Sequence, residues 1–284
     1  MKKTIISILG LLFMFSLNAQ NKTIDSKPKG MEFIPTGSVK MKMAWAPEPK
    51  MVTFTVDAYW MSNEITNAEF REFVDWANKN PDKYLYQIKF LREVVTDPKN
   101  SVTKDTMILK KIPIKVSTFN SNMIDPLCLE KENKDYKGYF TDKKFDDYPI
   151  VGVSFKLAEY FCIWKTMLEN ERRKELGLPN IHAYRIPLEQ EWEYVAQAPV
   201  STKDNNDTTS KIQKVSEGAT NDLGLFHLND NVSEWVITNP GHIGAIRGGS
   251  FRSKNNIANQ SLINEDSQDP YIGFRIVQSY VPTK

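Results

Sequence analysis

The residues best suited to chemistry are concentrated between Asn221 and Ser253. This segment contains N-D-N-V-S-E-W at 229–235 and I-R-G-G-S-F-R-S at 246–253. Carboxylate and amide groups at this density are a composition suited to oxygen ligands and to tight backbone geometry. The alternative is that Glu234 and Asn231 only tie the loop to the backbone through hydrogen bonds. The adjacent pair Gly248–Gly249 predicts a close approach of two backbone segments.

The arginines in and after this segment could bind an acidic ligand, because guanidinium groups suit carboxylate and sulfate. A pocket of this kind would be lined by four residues: Arg247, Arg252, Ser253 and Arg275. The alternative is that Arg247 and Arg275 form structural ion pairs, with Glu64 or Glu234 as partners. The sequence leaves both interpretations open.

The cysteines and histidines offer little for metal chemistry. Cys128 and Cys162 are the two cysteines of the chain, and in an oxidising compartment they could form one disulfide. The alternative is that they stay free, since Cys162 lies in the apolar helical run E-Y-F-C-I-W, where a thiol packs as a small hydrophobe. The three histidines lack the spacing of zinc ligands.

Residues 1–19 have the form of a secretory signal peptide. Two lysines precede the apolar run 5–17, and Ala19 supplies a small residue before the expected cleavage at Gln20. The run would make a helix of roughly 20 Å, shorter than the roughly 30 Å hydrocarbon core of a bilayer. We therefore expect a periplasmic or secreted mature protein without a transmembrane segment.

Charge excludes one class of partner. The chain has 37 basic and 35 acidic residues, and removing the signal peptide with Lys2 and Lys3 makes the two numbers equal. A balanced surface gives no electrostatic basis for nucleic-acid binding.

The rest of the chain is typical of an α+β domain rich in loops. Residues 20–30 are polar and predicted to be flexible, and the domain itself spans 31–284. Thr66 and Glu69 form a capping box before an amphipathic helix at 67–79, and Ser154 is expected to cap a second helix that extends toward Glu175. Pro187 is expected near the start of a third helix, with Trp192 and Val195 facing inward. The predicted strands are 39–43, 51–60, 148–153 and 273–277.

Residues 80–148 are predicted to be an insertion with short β-like pieces at 84–90 and 107–117. Loops this long inside a compact domain are usually functional or mobile. The insertion is therefore either a surface for a partner or a tolerated elaboration. A second polar loop is predicted at 198–212.

The ordered motifs resemble the formylglycine-generating-enzyme, or sulfatase-modifying-factor, family. They are M-E-F-I-P-T-G-S, E-I-T-N-A-E-F-R-E-F, Y-P-I-V-G-V-S-F, R-I-P-L-E-Q-E-W, G-L-F-H-L-N-D-N-V-S-E-W, R-G-G-S-F and G-F-R-I-V, and they extend from Met31 to Val277. The resemblance implies a single loop-rich α+β domain related to the C-type lectin fold.

The same resemblance implies that this chain lacks the family's copper chemistry. Catalytic members bind copper with two cysteines just after R-G-G-S, because soft thiolates select Cu(I). The matching positions here are Ser253 and Ala258. The chain is therefore expected to be a pseudoenzyme without copper. The alternative is a formylglycine-generating-type oxidoreductase, or a ligand-binding module, that uses the same cleft.

The resemblance also implies a structural calcium ion and a class of partner. The calcium ligands would be the carbonyl groups of Asn229, Asp230 and Val232 and the carboxylate of Glu234. The long insertion makes the chain most similar to the gliding-motility and type IX secretion proteins of Bacteroidetes (GldK- and GldJ-like), whose partners are proteins in the periplasm or at the outer membrane.

Overall fold

The computed structural model of this protein describes residues 27–43, 50–96, 103–119, 124–200, 211–238, 244–253 and 261–280. The predicted signal peptide, residues 20–26 of the predicted flexible segment, most of the predicted 198–212 loop and Ala258 lie outside the described residues.

Short strands and four α-helices alternate along the described chain. The strands are β1 (Met31–Ile34), β2 (Gly37–Met43), β3 (Lys50–Val56), β4 (Tyr59–Glu64), β5 (Tyr84–Thr96), β6 (Thr103–Lys115), β7 (Tyr184–Arg185), β8 (Ser233–Val236), β9 (Ala245–Arg247), β10 (Ser261–Leu262), β11 (Ile272–Gly273) and β12 (Arg275–Ser279). The helices are α1 (Asn67–Lys79), α2 (Cys128–Glu132), α3 (Phe155–Glu175) and α4 (Glu189–Ala196).

Two four-stranded sheets and two hairpins hold these elements together. The first sheet has the order β1-β4-β12-β7, so the last described strand lies beside an early one. The second has the order β10-β9-β8-β11, with β11 parallel to β8. The hairpins are β2–β3 and β5–β6. The α+β prediction is confirmed.

Helix α1 forms where its capping residues predict it. It spans Asn67–Lys79, as predicted, and the Thr66 hydroxyl accepts a hydrogen bond from the Glu69 amide at 3.2 Å. The Glu69 carboxylate in turn accepts from the Thr66 amide at 3.2 Å. These local bonds satisfy amides that the first helical turn would otherwise leave without partners.

Thr66→Ala should lower the free energy of unfolding by about 1 kcal/mol, because it removes the hydroxyl that caps α1. Urea denaturation would measure the loss. Thr66→Ser keeps the hydroxyl and should retain most of the stability. Equal losses in the two variants would show that the hydroxyl does not act as a cap.

Helix α3 packs against α1 through aromatic rings. It starts after Ser154, whose hydroxyl accepts from the Leu157 amide at 3.3 Å as predicted, and it ends at Glu175. The ring of Phe161 stacks on Phe70 with 5.6 Å between centroids. Both side chains are fully buried, so this contact lies at the centre of the main core.

Helix α4 supports a second core beneath the first sheet. Trp192 and Val195 are fully buried, as predicted, and they pack with Tyr59 and Met61 of β4. The Tyr59 hydroxyl donates to the Glu191 carbonyl oxygen at 2.7 Å. This bond fixes α4 against the sheet.

Three of the predicted strands need correction. The predicted strand 51–60 is divided into β3 and β4, and the predicted strand 273–277 into β11 and β12. The segment 148–153 is buried but forms no strand, because its amides bond to separate parts of the chain. Ile150 donates to the Ile65 carbonyl at 2.8 Å and Gly152, at φ +73°, donates to the Asp269 carbonyl at 3.1 Å.

The predicted insertion has two structurally different halves. The β-like pieces belong to one long hairpin, β5–β6, with paired residues from Tyr84↔Lys115 to Thr96↔Thr103. The second half, 124–148, is part of the domain core. The Asn67 side-chain amide donates to the carbonyl oxygens of Tyr139 and Phe145 at 3.2 and 3.1 Å, and the rings of Tyr139 and Phe145 are buried.

Candidate functional site

The carboxylate of Glu234 forms a buried ion pair with Arg275. Its two oxygens accept from the guanidinium at 2.6 and 2.5 Å, and one of them also accepts from the Trp192 indole at 2.7 Å. Neither Glu234 nor Arg275 is exposed to solvent. Burial alone would lower the pKa of Arg275, but the adjacent Glu234 carboxylate raises it above the ordinary value. The pair joins β8 to β12.

A second buried carboxyl group, that of Glu64, lies near this pair. One of its oxygens accepts from the Asn231 side-chain amide at 2.7 Å. Its other oxygen has no hydrogen-bond partner among the described residues. Burial raises the pKa of Glu64 to about 8, and the nearby Glu234 carboxylate adds to the shift. Asn231 itself adopts φ +58°, so the loop before β8 turns sharply to bring this amide to Glu64.

Both ring nitrogens of His227 face hydrogen-bond acceptors. Its Nδ1 lies 3.0 Å from the Asp230 carboxylate and its Nε2 lies 3.0 Å from the Lys214 carbonyl oxygen. Since both neighbours accept hydrogen bonds, each ring nitrogen carries a proton. Burial alone would lower the pKa of His227, but the hydrogen bond to Asp230 and the Glu64 carboxyl raise it above the ordinary value. No spacing in the sequence singles out this histidine.

Arg247 forms another buried ion pair. It donates to the Glu189 carboxylate at 2.5 Å and lies 3.4 Å from a carboxylate oxygen of Glu193. Both glutamates come from α4, so this pair fixes α4 to β9. Burial raises the pKa of Glu189, although Arg247 opposes the shift.

Arg252 and Ser253 lie at the surface, in a tight turn after β9. The Ser253 hydroxyl is 3.1 Å from the Ser250 hydroxyl, and the Ser253 amide donates to the Ser250 carbonyl at 3.0 Å. The guanidinium of Arg252 pairs with the Glu132 carboxylate and lies over the Tyr271 ring at 5.7 Å. Ser253 is held in this turn by another serine, Ser250.

The structure therefore does not gather the four predicted ligand-binding residues into one pocket. Arg252 and Ser253 share the surface turn, whereas Arg247 and Arg275 are buried in separate ion pairs. The observed geometry matches the alternative interpretation, in which Arg275 forms a structural ion pair with Glu234. Arg247 pairs instead with Glu189 and Glu193 of α4.

The paired glycines bring the two halves of the 221–253 segment together. A Cβ on Gly249 would overlap the carbonyl oxygen of Asn229, and one on Gly248 would lie 3.0 Å from the Leu228 carbonyl oxygen. Gly248 also adopts φ +87°, which side chains disfavour. The backbone approach that this pair predicts is observed.

The two cysteines are separate, free and buried, Cys128 in α2 and Cys162 in α3. Burial raises the pKa of the Cys128 thiol to about 12, and burial likewise raises the pKa of the Cys162 thiol. Thiolates, which bind copper and act as nucleophiles, are therefore disfavoured at both positions.

The residues that the resemblance assigns to calcium do not fit a cation well. Glu234 would be the one carboxylate ligand, but both of its oxygens already accept hydrogen bonds and Arg275 neutralises its charge. A cation there would have to share this carboxylate with a buried guanidinium, and two adjacent buried positive charges repel each other. Asn229, Asp230 and Val232 do lie in the sharp loop before β8.

The purified protein should therefore have the same melting temperature in calcium chloride as in a chelator. Differential scanning fluorimetry at several calcium concentrations would measure this. A ligand that binds only the folded state raises the melting temperature with its concentration. Such a rise, absent with magnesium, would show that the loop does bind calcium.

Comparison with known proteins agrees with this architecture. The family described as "Sulfatase-modifying factor enzyme 1-like domain" matches residues 16–206, which is more than half of the chain. The protein belongs to this family. No curated protein matches the chain.

A solved structure supports the same fold for this sulfatase-modifying-factor domain. The structure titled "Treponema denticola variable protein 1" superposes with a TM-score of 0.51 at 15% identity, covering 88% of this chain and 95% of that one. At this identity the similarity concerns the fold alone. None of the helices in the described part of the domain has the length and apolar character that crossing a membrane requires.

Proposed function

We propose that this protein is an exported, non-catalytic member of the sulfatase-modifying-factor family that binds or scaffolds protein partners. Its place of action would be the periplasm or the outer membrane, within or related to a gliding-motility or type IX secretion assembly, as the resemblance implies. The observation that carries the proposal is the surface turn Ser250–Ser253. Hydroxyl groups occupy and stabilise the position at which a catalytic member presents a thiolate.

The two cysteines of the chain do not supply the thiolates that the Ser250–Ser253 turn lacks. The chain has two cysteines, and both thiols are buried and lie in helices. Cys128 packs with Tyr136 and Tyr139 of the insertion, and Cys162 packs on the aromatic core. Bringing them together as a copper site would require both helices to unpack.

A ligand-binding module that uses the predicted arginine pocket receives less support. The side chains of Arg247 and Arg275 are 3% and 0% exposed, and each is paired with a carboxylate. A sulfate or carboxylate ligand would have to displace a buried glutamate from each. The positive charges that would attract the ligand are thus already neutralised.

Purification of the mature protein from the periplasm would test the binding function. The full-length gene carries a C-terminal tag, and gentle chemical crosslinking precedes lysis so that weak complexes survive. We expect a reproducible complex that migrates above the monomer and that a tagged, unrelated periplasmic protein does not form. A monomer without any crosslinked partner under these conditions would contradict the proposal.

A further inference from the structure

The outer face of the β5–β6 hairpin is apolar and exposed. Tyr84, Tyr86 and Ile88 alternate along β5 and therefore point to one face, and Ile88 is 63% exposed. Leu109 of β6 shares this face by its register and is 61% exposed. The opposite face is the packed one, because Leu85 is fully buried. Apolar side chains grouped in this way mark interaction surfaces.

A cleft of about 670 Å³ adjoins this face. One wall is the start of β5, the second is helix α3, and the third is the segment 180–186 that contains β7. The apolar lining includes Ile163, Met167, Ile186 and Ile237. A cleft of this size and character can hold several side chains of a ligand.

Strand edges border the cleft and indicate the form of its occupant. Strand β5 pairs with β6, and no other described segment forms a backbone hydrogen bond with its residues Tyr84–Ile88. Strand β7 is the end strand of its sheet within the described chain, but its Tyr184 amide already donates to the Thr166 hydroxyl at 2.9 Å, so β5 supplies the free edge. Unpaired amide and carbonyl groups along a strand edge accept an additional strand. An extended peptide segment meets this requirement, whereas a helix does not.

The charge around the hairpin indicates the chemistry of that segment. Lysine and arginine outnumber aspartate and glutamate seven to three over residues 84–115, although the whole chain is nearly balanced. The ammonium group of Lys111 lies over the Tyr86 ring at 4.1 Å, and Lys174 lines the cleft. Two glutamates of α3, Glu159 and Glu171, also line it; Glu159 lies 3.4 Å from the Gln87 amide.

We propose that this cleft and the outer face of the hairpin bind an extended acidic segment of a partner polypeptide. The segment adds a strand along β5, places its apolar side chains in the cleft and its carboxylates near Lys111. The inference rests on the proposed binding function and names the surface and the partner chemistry for it.

Fluorescence anisotropy with short labelled peptides tests the proposal on the folded mature protein. The probe alternates aliphatic and acidic residues; one control replaces every acidic residue by lysine, and a second carries N-methyl groups on alternate amides. We expect the acidic peptide to bind and both controls to lose binding, since N-methylation removes strand hydrogen bonds without changing side chains.

Two protein variants carry the same charge change and differ only in the face of the hairpin on which it lies. Lys111→Glu should weaken binding of the acidic peptide by about tenfold, because it reverses a charge beside the occupant. Lys110→Glu makes the same charge change at the neighbouring position, which points to the opposite face, and should leave binding nearly unchanged. Circular dichroism confirms that both variants are folded.

Three results would overturn the inference. Equal binding of the acidic and N-methylated peptides would exclude strand addition. Equal losses of peptide binding in Lys111→Glu and Lys110→Glu would exclude the outer face of the hairpin as the binding site. A dimer of the mature protein that Ile88→Lys dissociates would show that a second copy is the occupant. In each case a crosslinked periplasmic complex could still form, so failure of this site is distinguishable from failure of the binding function.

Discussion

Glu234→Gln should lower the free energy of unfolding by about 3–5 kcal/mol, one of the two largest losses that we expect from single substitutions. Glutamine fills the same space and can still accept a hydrogen bond from the Trp192 indole. It leaves the buried guanidinium of Arg275 without its anion, however, and that uncompensated charge dominates the loss. Urea denaturation of the two proteins would measure the difference.

Glu132→Gln is the matched control for this prediction. It breaks the pair with Arg252, which is also a carboxylate–guanidinium contact but lies partly in solvent. Exposed ion pairs contribute at most about 1 kcal/mol. If Glu234→Gln cost no more than Glu132→Gln, the Glu234–Arg275 pair would not be the structural link between β8 and β12.

Phe161→Ala should destabilise the protein by about 3–5 kcal/mol, because it opens a cavity at the centre of the main core. The Phe161 side chain is fully buried. Its ring contacts four aromatic neighbours, with centroid distances of 5.6, 5.9, 5.5 and 5.5 Å to Phe70, Phe73, Trp164 and Phe274. These neighbours come from α1, α3 and the segment before β12, so they cannot all close the cavity together.

Phe33→Ala removes the same atoms at the surface and is the control for this substitution. Phe33 is 41% exposed, although its ring contacts Trp60 and Tyr280. Phe33→Ala should lower the free energy of unfolding clearly less than Phe161→Ala does. The slope of that free energy against urea concentration should be similar in both variants. Equal losses would mean that the α1–α3 contact is not the centre of the core.

The sequence predicts best those elements whose determinants are local. The bounds of α1 follow from the capping residues and the aromatic spacing that begins at Phe70, and α3 is equally clear from Ser154 onward. The segment 148–153 is different, because its amides bond to residues far away in the chain. Apolar character predicts its burial but not its irregular backbone.

The site shows the same division between local and distant information. The close approach at Gly249 follows from the residue type. The partner of Glu234 lies 41 residues further along the chain, and the sequence offered this ion pair only as the alternative to an acidic ligand of Arg275, with Glu64 as a second possible partner. The sequence predicts short β-like pieces at 84–90 and 107–117, within or overlapping the longer hairpin strands, but it does not tell which face of the hairpin is buried. The buried face contains Leu85, and the tyrosines lie on the exposed one.

The central claim, that this family member does not catalyse formylglycine formation, is tested most directly by a peptide assay. The purified mature protein is incubated aerobically with copper, a reductant and a sulfatase-type cysteine peptide, and a catalytic family member serves as the positive control. Mass spectrometry of the peptide then distinguishes cysteine from formylglycine. We predict unchanged peptide with this protein and product with the control. Formylglycine above the level of a protein-free reaction would contradict the account.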